Sequence, residues 1–454
     1  MKNFFAGVLL TCAACASAPV NSGNARADEP LAPGVPLASF DTLWTVVQRT
    51  YVDTAFVKTR WKAVRDSLRP RAAAITTRGQ LDALLAETLS RIPDSHFYII
   101  PARVASDVSS DREGGEGTTG VSVRISGDRA VVWRVEPGSP GAIAGIRPGQ
   151  TVVKVRNRVA AASIKRVMSL PDASRQRALS EVDFNLNGWL SPSVGDTVRV
   201  TLSNPGEKST FERVLVGVPR HGTVSKFGNL PPIAGLVRSS RLPLPANAAG
   251  AGCIGFISFN VWLPALAPEL ADAVQNVADC TGIVLDLRGN PGGVGAMVMG
   301  FGGYFVDSMV SLGTMRTRDL ALNFTINPRR LRVNGRDTGP FNGKLAIIVD
   351  PMTASTSEIF ATGMQRIGRA RVFGERSATA ALPALMQRLP SEDVFVHAVA
   401  DFRDPSGGRI EGAGVIPDEV VPLTQADLSN NVDAPLQAAI RWIGSSAVSP
   451  SVTR

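Results

Sequence analysis

Apolar positions repeat at helical spacing through the first folded part of the chain. Three successive faces have apolar residues three or four positions apart, which is typical of amphipathic helices. They consist of Phe40, Leu43, Val46 and Val47, then Trp61, Val64 and Leu68, then Leu81, Leu84, Leu85, Leu89 and Ile92. The third helix ends at Pro93, because proline cannot continue a helix beyond its first turn. The pattern predicts an N-terminal helical domain over residues 38–105.

The pattern then changes to the alternation that is typical of half-buried strands. Apolar side chains occupy every second position in residues 121–125, and another apolar run follows in residues 131–135;. Residues 159–190 interrupt this region with an insertion or an extended helix. We therefore predict a β-rich domain over residues 114–216.

From Gly252 onward, apolar strands alternate with helical segments, which is typical of an α/β core. The predicted strands are Ile254–Phe259, Ile283–Leu287, Leu345–Val349, Ala370–Phe373 and Val394–Phe402. Continuous apolar runs such as 345–349 indicate strands that are buried on both faces. We predict this core over residues 217–424. A C-terminal helix and tail follow over residues 425–454, with the helix covering an edge of the sheet. The predicted fold class is multidomain α/β.

The first residues have the pattern of an export signal. Lys2 precedes an apolar segment, residues 4–14, that is too short to span a bilayer;. Two processing sites fit this pattern. The segment around Cys15 resembles a bacterial lipoprotein site, which would attach a lipid to that cysteine and anchor the protein to a membrane; the other site is Ala25-Arg26-Ala27. Either site implies a leader and tether over residues 1–27 and an exported, periplasmic protein.

Length and charge set broader limits. A chain of 454 residues is too long for one hydrophobic core, so several domains are expected;. The net charge of +9 comes from scattered arginines, without a basic stripe interleaved with aromatic residues. We therefore predict no nucleic-acid partner. The sequence also has no Cys/His cluster with metal-ligand spacing, so no metal and no other cofactor is predicted.

Two cysteines remain once the leader is excluded. Cys253 and Cys280 each precede an apolar strand, and one helical segment separates the two strands. Parallel neighbouring strands joined by a crossover would bring these two strand starts together. In an exported protein this arrangement predicts either a disulfide bond or two buried thiols.

A cluster of hydroxyl residues follows the apolar strand Leu345–Val349. Proline at position 351 ends the strand, and an apolar helical pattern begins at Glu358;. The hydroxyl residues lie at the predicted N-terminus of this helix, where backbone N–H groups are unpaired and negative charge is favoured. They are Thr353, Ser355, Thr356 and Ser357. Such a corner suits either simple helix capping or a nucleophile whose target becomes an oxyanion.

Two segments resemble the C-terminal processing peptidases, also called tail-specific proteases. Asp286–Gly293 has the family's Asp-Leu-Arg-x-Asn-x-Gly-Gly pattern, and Thr353–Glu358 has its Ser-x-Ser-x-Ser-Glu pattern with threonine first. The resemblance covers residues 40–425 and implies a core like those of ClpP and the crotonases. It also implies that Ser355 is the nucleophile. The Thr356 N–H group, with the backbone of Gly292 and Gly293, would form the oxyanion hole.

Many members of this family use a Ser–Lys dyad, but the position of that lysine is Ala380 here. No lysine follows Lys344, so the base must lie elsewhere. Ser95-His96 resembles the tricorn-type branch of the superfamily, in which a Ser-His pair from the helical domain supplies the base. The segment from Glu411 to Asp418 fits the family's Glu-x-x-Gly-Val-x-Pro-Asp pattern. The resemblance thus implies that His96 is the base, with Ser95 and Glu411 in support.

Two further histidines are weaker candidates for the base. His397 lies within an apolar run and is predicted to be a sheet residue bonded to backbone, and His221 is predicted to face solvent. Imidazole is the side chain whose ordinary pKa suits proton transfer from a serine hydroxyl at neutral pH. His96 therefore remains the predicted base.

Residues 136–150 resemble the short helix and following strand of a PDZ domain. The resemblance implies that a preceding loop receives a peptide's terminal carboxylate on its backbone N–H groups, while the peptide adds a strand to an open edge. That loop comprises Thr119, Gly120, Val121 and Ser122. The alternative is a PDZ-like fold that serves only as a hinge or lid.

The sequence as a whole predicts a serine endopeptidase that acts on a peptide or protein substrate presented by the PDZ-like domain. The alternative is a catalytically inactive protein that binds a peptide or an apolar ligand on the same scaffold. The retinoid-binding modules of this superfamily show that such a fold can serve as a carrier, because a fold alone does not determine function.

Overall fold

The computed structural model describes residues 27, 29–100, 117–225, 233–245 and 252–445. Residues 1–26 of the predicted leader, including Cys15, lie outside the described residues. The described elements confirm the multidomain α/β class, with helices first, a β-rich unit next and a strand–helix core last. The boundaries given above for the separate domains stay predictions. Among the described residues, none of the helices combines the length and the apolar character that crossing a bilayer requires.

The N-terminal unit is a group of helices around one apolar core. The helices are α1 (Val35–Thr50), α2 (Thr54–Phe56), α3 (Lys62–Ala73) and α4 (Arg78–Leu89), with a π-helical turn at Val57–Trp61 between α2 and α3. Apolar residues from all three predicted faces are buried together, including Phe40, Trp61 and Leu85. Strand β1 (Tyr98–Ile100) then leaves this unit and enters the core.

The β-rich unit contains one principal sheet and three helices. Its strands are β2 (Gly117–Thr118), β3 (Val121–Ser126), β4 (Arg129–Val135), β5 (Thr151–Val155), β6 (Arg158–Val159), β7 (Thr197–Ser203) and β8 (Phe211–Val216). Its helices are α5 (Pro140–Ile143), α6 (Ala160–Met168) and α7 (Asp172–Trp189). The order β3-β4-β5-β7-β8 leaves β3 at an edge, and β6 pairs with β5. Residues 159–190 thus form two helices, and α7 packs against β3.

The core follows three short strands, β9 (Val218–Pro219), β10 (Thr223–Ser225) and β11 (Ile233–Gly235). Its strands are β12 (Val237–Pro243), β13 (Cys253–Phe259), β14 (Gly282–Asp286), β15 (Val310–Arg316), β16 (Ala321–Ile326), β17 (Leu331–Val333), β18 (Arg336–Thr338), β19 (Lys344–Val349), β20 (Ala370–Gly374), β21 (Ala384–Arg388), β22 (Val394–Ala398), β23 (Asp401–Arg403) and β24 (Glu419–Val420). Its helices are α8 (Ala267–Gln275), α9 (Met297–Gly302), α10 (Thr356–Arg366), α11 (Gln425–Ser429) and α12 (Ala434–Gly444), and a 3-10 turn, Pro264–Leu266, precedes α8.

The central sheet has the order β12-β13-β14-β19-β20-β24. All its pairs are parallel except β12 with β13. The four inner strands are largely buried, as the continuous apolar runs predict;. Because parallel strands end at the same edge, the segments that follow β14 and β19 lie side by side. These segments carry the glycine pair and Ser355.

Two details differ from the sequence-based predictions. The strand predicted over Val394–Phe402 is two strands, because β22 pairs with β1 and β21 whereas β23 pairs with β15 in another sheet. The C-terminal helix α12 covers a face of the central sheet rather than an edge. Its apolar side, including Ile443, packs on Ile254 and Val284, and this burial stabilises the face position;.

Cys253 and Cys280 form a disulfide bond, so the alternative of two buried thiols is wrong. Cys253 begins β13, and Cys280 lies two residues before β14. The two strands are parallel neighbours in the central sheet. The bond therefore closes the crossover through α8 at the point where the two strand starts meet.

Candidate active site

Ser355 lies at the corner between β19 and α10, where it is the N-cap residue of the helix. Its backbone has φ 55° and ψ −120°, a conformation that side-chain-bearing residues rarely adopt and that costs about 1–3 kcal/mol;. The residue is half-buried, whereas Thr353, Thr356 and Ser357 are buried. Ser355 is thus the most accessible of the four hydroxyl residues, and it lies at the N-terminus of a helix.

The other three hydroxyl groups of the cluster have structural partners. The Thr353 hydroxyl donates to the Leu287 carbonyl at 2.9 Å. The Thr356 hydroxyl donates to the Gly293 carbonyl at 2.9 Å. The Ser357 hydroxyl accepts a hydrogen bond from the Trp262 indole N–H at 2.9 Å. These contacts join the Ser355 corner to the neighbouring strand ends.

Glu358, three residues after Ser355, fixes the backbone of the corner. Its carboxylate accepts the Ser355 N–H at 3.0 Å, the Ser377 hydroxyl at 2.5 Å, and the N–H groups of Thr379 and Ala380 at 2.8 and 2.9 Å. The Ser355 N–H is shared with the Ala380 carbonyl at 2.7 Å. Burial raises the pKa of Glu358 to about 7, against the lowering effect of these hydrogen bonds;. Four donors around one carboxylate hold the strained corner in place.

Gly292 and Gly293 pass directly beside the Ser355 corner. Both have positive φ values, 99° and 141°. A Cβ on Gly292 would lie 2.7 Å from the Ser355 Cβ, and one on Gly293 would lie 2.2 Å from the Trp262 carbonyl oxygen. Only glycine permits this close approach. The motif therefore brings peptide backbone against the predicted nucleophile.

The N–H groups predicted for the oxyanion hole differ in their partners. The Gly292 N–H donates to the Asn290 side-chain oxygen at 3.0 Å. Within residues 252–445, the N–H groups of Gly293 and Thr356 donate to no other protein group. Thr356 is the first residue of α10, where an unpaired N–H group is expected;. These two groups retain the capacity to bind an oxyanion.

Ser95 and His96 reach the core because β1 pairs with β22 directly after them. Tyr98 lies opposite Val396, and Ile100 lies opposite Val394. This antiparallel pair places the preceding turn against the core loops. His96 has φ 62°, the left-handed conformation, so contacts from elsewhere must hold the turn;.

Ser95 links His96 to Glu411. The Ser95 N–H and hydroxyl donate to the two carboxylate oxygens of Glu411 at 2.8 and 2.9 Å. The Ser95 Oγ lies 2.7 Å from the His96 Nδ1. Since the hydroxyl proton points to Glu411, Ser95 accepts the Nδ1 proton, and we assign this tautomer to His96 from the network. The His96 Nε2 then carries the lone pair that can accept a proton.

Glu411 has two further donors besides Ser95. The Ala381 N–H donates to Oε2 at 2.8 Å, and the Arg177 guanidinium donates to Oε1 at 2.8 Å. Burial raises the pKa of Glu411, whereas Arg177 and the backbone donors lower it. Burial, with a smaller effect from the positive charge of Arg177, lowers the pKa of His96 to about 4. His96 is therefore neutral at pH 7 and able to act as a base.

The nucleophile and base clusters meet at Ala380-Ala381. The Ala380 carbonyl accepts the Ser355 N–H, and the next N–H group, that of Ala381, donates to Glu411. The charge of Glu411 also contributes to the raised pKa of Glu358. Across residues 29–100 and 252–445, no hydrogen bond joins the Ser355 hydroxyl to His96. The two groups belong to one network through the backbone between them.

Sequence reasoning missed two side chains of this site. Glu358 was treated only as the start of a helix, although Ser-x-x-Glu before an apolar run is the pattern of a capping box;. Arg177 carries no local signal, because nothing in its helix indicates a contact with Glu411, which lies 234 positions later.

The other two histidines lie outside the network. His397 lies in β22, and its Nδ1 is 3.2 Å from the Thr50 hydroxyl, so the predicted backbone partner is wrong. The partner is a side chain because α1 packs against β22 at this point. His221 is exposed, as predicted.

The predicted carboxylate loop, Thr119–Ser122, runs into the edge strand β3, whose first two residues are Val121 and Ser122, and Gly120 has φ 70°. Side chains of α7 already bond to the open edge of this strand. Asn187 accepts the Val123 N–H and donates to the Val123 carbonyl, both at 2.9 Å. Asp183 accepts the Ile125 N–H at 2.6 Å. A peptide that adds to β3 would have to replace these contacts.

Comparisons with known proteins agree with this architecture. Residues 251–421 match the model of Peptidase family S41, and residues 37–90 match that of the Tricorn protease C1 domain. A carboxyl-terminal-processing protease of Picosynechococcus sp. is 22% identical over 406 residues, covering 87% of this chain and 86% of that protein. A chloroplastic C-terminal processing peptidase of Tetradesmus obliquus is 26% identical over 404 residues, covering 84% and 77%.

Solved structures share the fold at low identity. The photosystem II D1 C-terminal processing protease has a TM-score of 0.57 and 20% identity, with 92% of this chain and 99% of that chain covered. Mature CPAF has a TM-score of 0.59 and 13% identity, with 91% and 99% covered. These likenesses extend over the helical, β-rich and core parts of the chain together.

Proposed function

This chain belongs to peptidase family S41 and is a serine-type peptidase, and from that premise we propose that Ser355 is its nucleophile and His96 its general base. Glu411 supports the base through Ser95. The observation that carries the proposal is the hydrogen-bonded series from Glu411 through Ser95 to His96, assembled beside the Ser355 corner. It joins residues from opposite ends of the chain and leaves the imidazole neutral.

In the proposed reaction, Ser355 attacks the carbonyl carbon of a peptide bond while His96 Nε2 takes the hydroxyl proton. Ser95 and Glu411 keep the Nδ1 proton in place and stabilise the imidazolium that forms. His96 then returns a proton to the leaving amine, and water releases the acyl group by the same steps. Because Ser355 and His96 are not directly bonded here, closure on the substrate completes the pair.

The oxyanion that develops on the peptide carbonyl would bind the N–H groups of Gly293 and Thr356. Both groups lie beside Ser355, and the N-terminus of α10 adds a favourable dipole;. Each donor is typically worth ~3 kcal/mol of transition-state stabilisation. Gly292 supports this arrangement by permitting the loop to pass close to Ser355.

We also propose that the enzyme is an exported endopeptidase whose PDZ-like unit presents the substrate peptide. The apolar segment after Lys2 supports export, with lipid attachment at Cys15 as one form of anchoring;. The loop Thr119–Ser122 and the edge strand β3 support the capture of a peptide terminus;. Strand addition there requires that Asp183 and Asn187 release the edge.

Labelling with a fluorophosphonate probe tests the nucleophile. The probe should label the wild-type protein and the Ser357→Ala variant, but not Ser355→Ala, because the Ser357 hydroxyl is buried and bonded to Trp262. Peptide hydrolysis should follow the same pattern. Labelling that persists in Ser355→Ala would contradict the assignment. A protein that never labels, and instead binds peptides or apolar ligands without cleaving them, would favour an inactive carrier.

A further inference from the structure

Helix α7 belongs to the β-rich unit, yet one of its turns contacts the supports of both proposed catalytic groups. Gln176 donates to the backbone carbonyls of Arg376 and Ser377 at 2.9 and 3.1 Å, and the Ser377 hydroxyl bonds Glu358. Arg177, the next residue, reaches Glu411. The turn therefore lies against the nucleophile support on one side and the base support on the other.

The Arg177 guanidinium makes two contacts, one with the backbone next to the His96 turn and one with Glu411. One terminal nitrogen donates to the Pro93 carbonyl at 2.9 Å, and the other donates to Glu411 Oε1 at 2.8 Å. Pro93 lies two residues before Ser95, whose N–H and hydroxyl bond the same carboxylate. Arg177 thus joins both sides of the turn that carries His96 in its left-handed conformation.

The side chain of Glu411 is fully buried, and that of Arg177 is 25% exposed. A buried carboxylate requires a charge partner or several hydrogen bonds, and in this site Arg177 is its ion-pair partner. Planar guanidinium can bridge two acceptors at a fixed angle, whereas a lysine ammonium acts as a point charge. The geometry at Pro93 and Glu411 therefore favours arginine specifically.

We propose that Arg177 is a positioning residue of the peptidase site, which orients His96 by clamping the Pro93 carbonyl to the Glu411 carboxylate. This inference rests on the proposed roles of Ser355, His96 and Glu411. It adds that the catalytic base is correctly placed only when α7 of the β-rich unit is docked on the core. Arg177 does not contact the reacting atoms and acts through Glu411 and Ser95.

Position and charge can be separated through the pH dependence of the reaction. The charged and titratable groups on the segments around His96 are Asp94, Tyr51, Arg409, Glu358, Glu411, Glu181 and Arg177. Asp94 is paired with Arg409 and Tyr51, so its charge is largely compensated. Loss of Arg177 would leave Glu411 without its cation and would raise the pKa of His96.

The test compares Arg177→Ala, Arg177→Lys and Arg175→Ala in the full-length protein with one peptide substrate. Arg175 is the matched control, because it is a nearby arginine of α7 that donates to the Leu170 carbonyl within its own unit. Arg177→Ala should lower kcat by ~10–100-fold with little change in KM, as expected for loss of an outer support. The acid limb of the pH–rate profile of Arg177→Ala should also move to higher pH.

The other two variants separate charge from geometry. Arg177→Lys retains the charge, so its acid limb should stay near that of the wild type while kcat falls less than in Arg177→Ala. Arg175→Ala should match the wild type in both measurements. The inference is overturned if Arg177→Ala keeps the wild-type kcat and pH profile, or if Arg175→Ala produces the same changes.

Two controls distinguish this inference from the proposed function. Fluorophosphonate labelling of Ser355 in Arg177→Ala shows whether the nucleophile corner is intact, and the melting temperature shows whether the chain is folded. If Arg177→Ala does not fold, Arg177→Lys decides between the outcomes. A lowered kcat at an unchanged melting temperature in Arg177→Lys supports the inference, and an unchanged kcat contradicts it. If the assignment of Ser355 as the nucleophile is itself wrong, labelling should persist in Ser355→Ala.

Discussion

Ser355 and His96 both have positive φ values, 55° and 62°, yet the contacts that hold them come from different distances along the chain. The Ser355 corner is fixed by Glu358 and by the segment 377–380, all within 25 residues. The His96 turn is fixed by Glu411 and Arg177, from the end of the core and from the β-rich unit. The proposed nucleophile is therefore held mainly by contacts from nearby in the core, whereas the proposed base depends on contacts from distant parts of the molecule.

This contrast suggests that the two sites respond differently to mutation of their supporting residues. The Ser355 corner should keep its conformation as long as the Glu358 carboxylate and the segment 377–380 are intact. The proposed base has supports from the helical unit, the core and α7, so we expect it to require all three to be packed together. Mutations at the base support should therefore reduce activity more than stability, whereas those at the nucleophile support should do the reverse.

The largest effect is expected for His96→Ala. Removal of the base should reduce kcat/KM by ~10³-fold or more, because Ser355 then has no proton acceptor. Steady-state hydrolysis of a peptide substrate measures this loss. His221→Ala is the matched control, since His221 is exposed and should leave the rate unchanged. A His96→Ala variant with nearly full activity would show that another group is the base.

Glu411→Gln should reduce kcat by ~10²-fold. The substitution removes the charge that stabilises the imidazolium and forces an amide N–H₂ group against one of the donors of Ser95, Ala381 or Arg177. Steady-state kinetics together with fluorophosphonate labelling measure the effect. An equal loss of Ser355 labelling and of thermal stability would indicate general unfolding instead.

Glu358→Gln should lower the free energy of unfolding by about 1–3 kcal/mol, because one of its four donors would face an amide N–H₂ group;. Chemical denaturation measures this change. The exposed Glu207→Gln variant is the control and should be neutral. If Glu358→Gln instead lost activity as strongly as Glu411→Gln with unchanged stability, the contrast between the two supports would fail.

The smallest effect concerns pH. The acid limb of kcat/KM, which reports the free enzyme, should lie below pH 6.5 because burial and Arg177 lower the pKa of His96 to about 4;. The ordinary value of 6.5 is higher, so the folded state disfavours protonation. The stabilisation from His96 is therefore present above pH 6.5 and is lost as the pH falls towards 4;. An acid limb near 6.5 would contradict this environment for the base.

Many of the strands and helices were predictable because their signals are local. The apolar run at Leu345–Val349 is a strand, and the helix predicted from Glu358 begins two residues earlier. The connection of two parallel strands predicted that Cys253 and Cys280 meet, although the sequence left open whether they form a disulfide or two buried thiols, and the structure shows the disulfide. The prediction of one strand over Val394–Phe402 was wrong because this apolar stretch passes from one sheet to another. Hydrophobicity alone does not mark the point where the strand partner changes.

The sequence by itself determined the Ser355 corner, the close-approaching glycines and the buried strands that lead to them. Each depends on backbone rules that act over a few residues: a strand stop, a helix N-terminus and the absence of a Cβ. Only the tertiary structure decided that Arg177 reaches Glu411 and that α7 covers the edge of β3. Arg177 and Glu411 are 234 positions apart and belong to different units, whereas the contacts of α7 with β3 span 58 and 64 positions within one unit. Both depend on how distant elements pack against each other, and no local pattern carries that information.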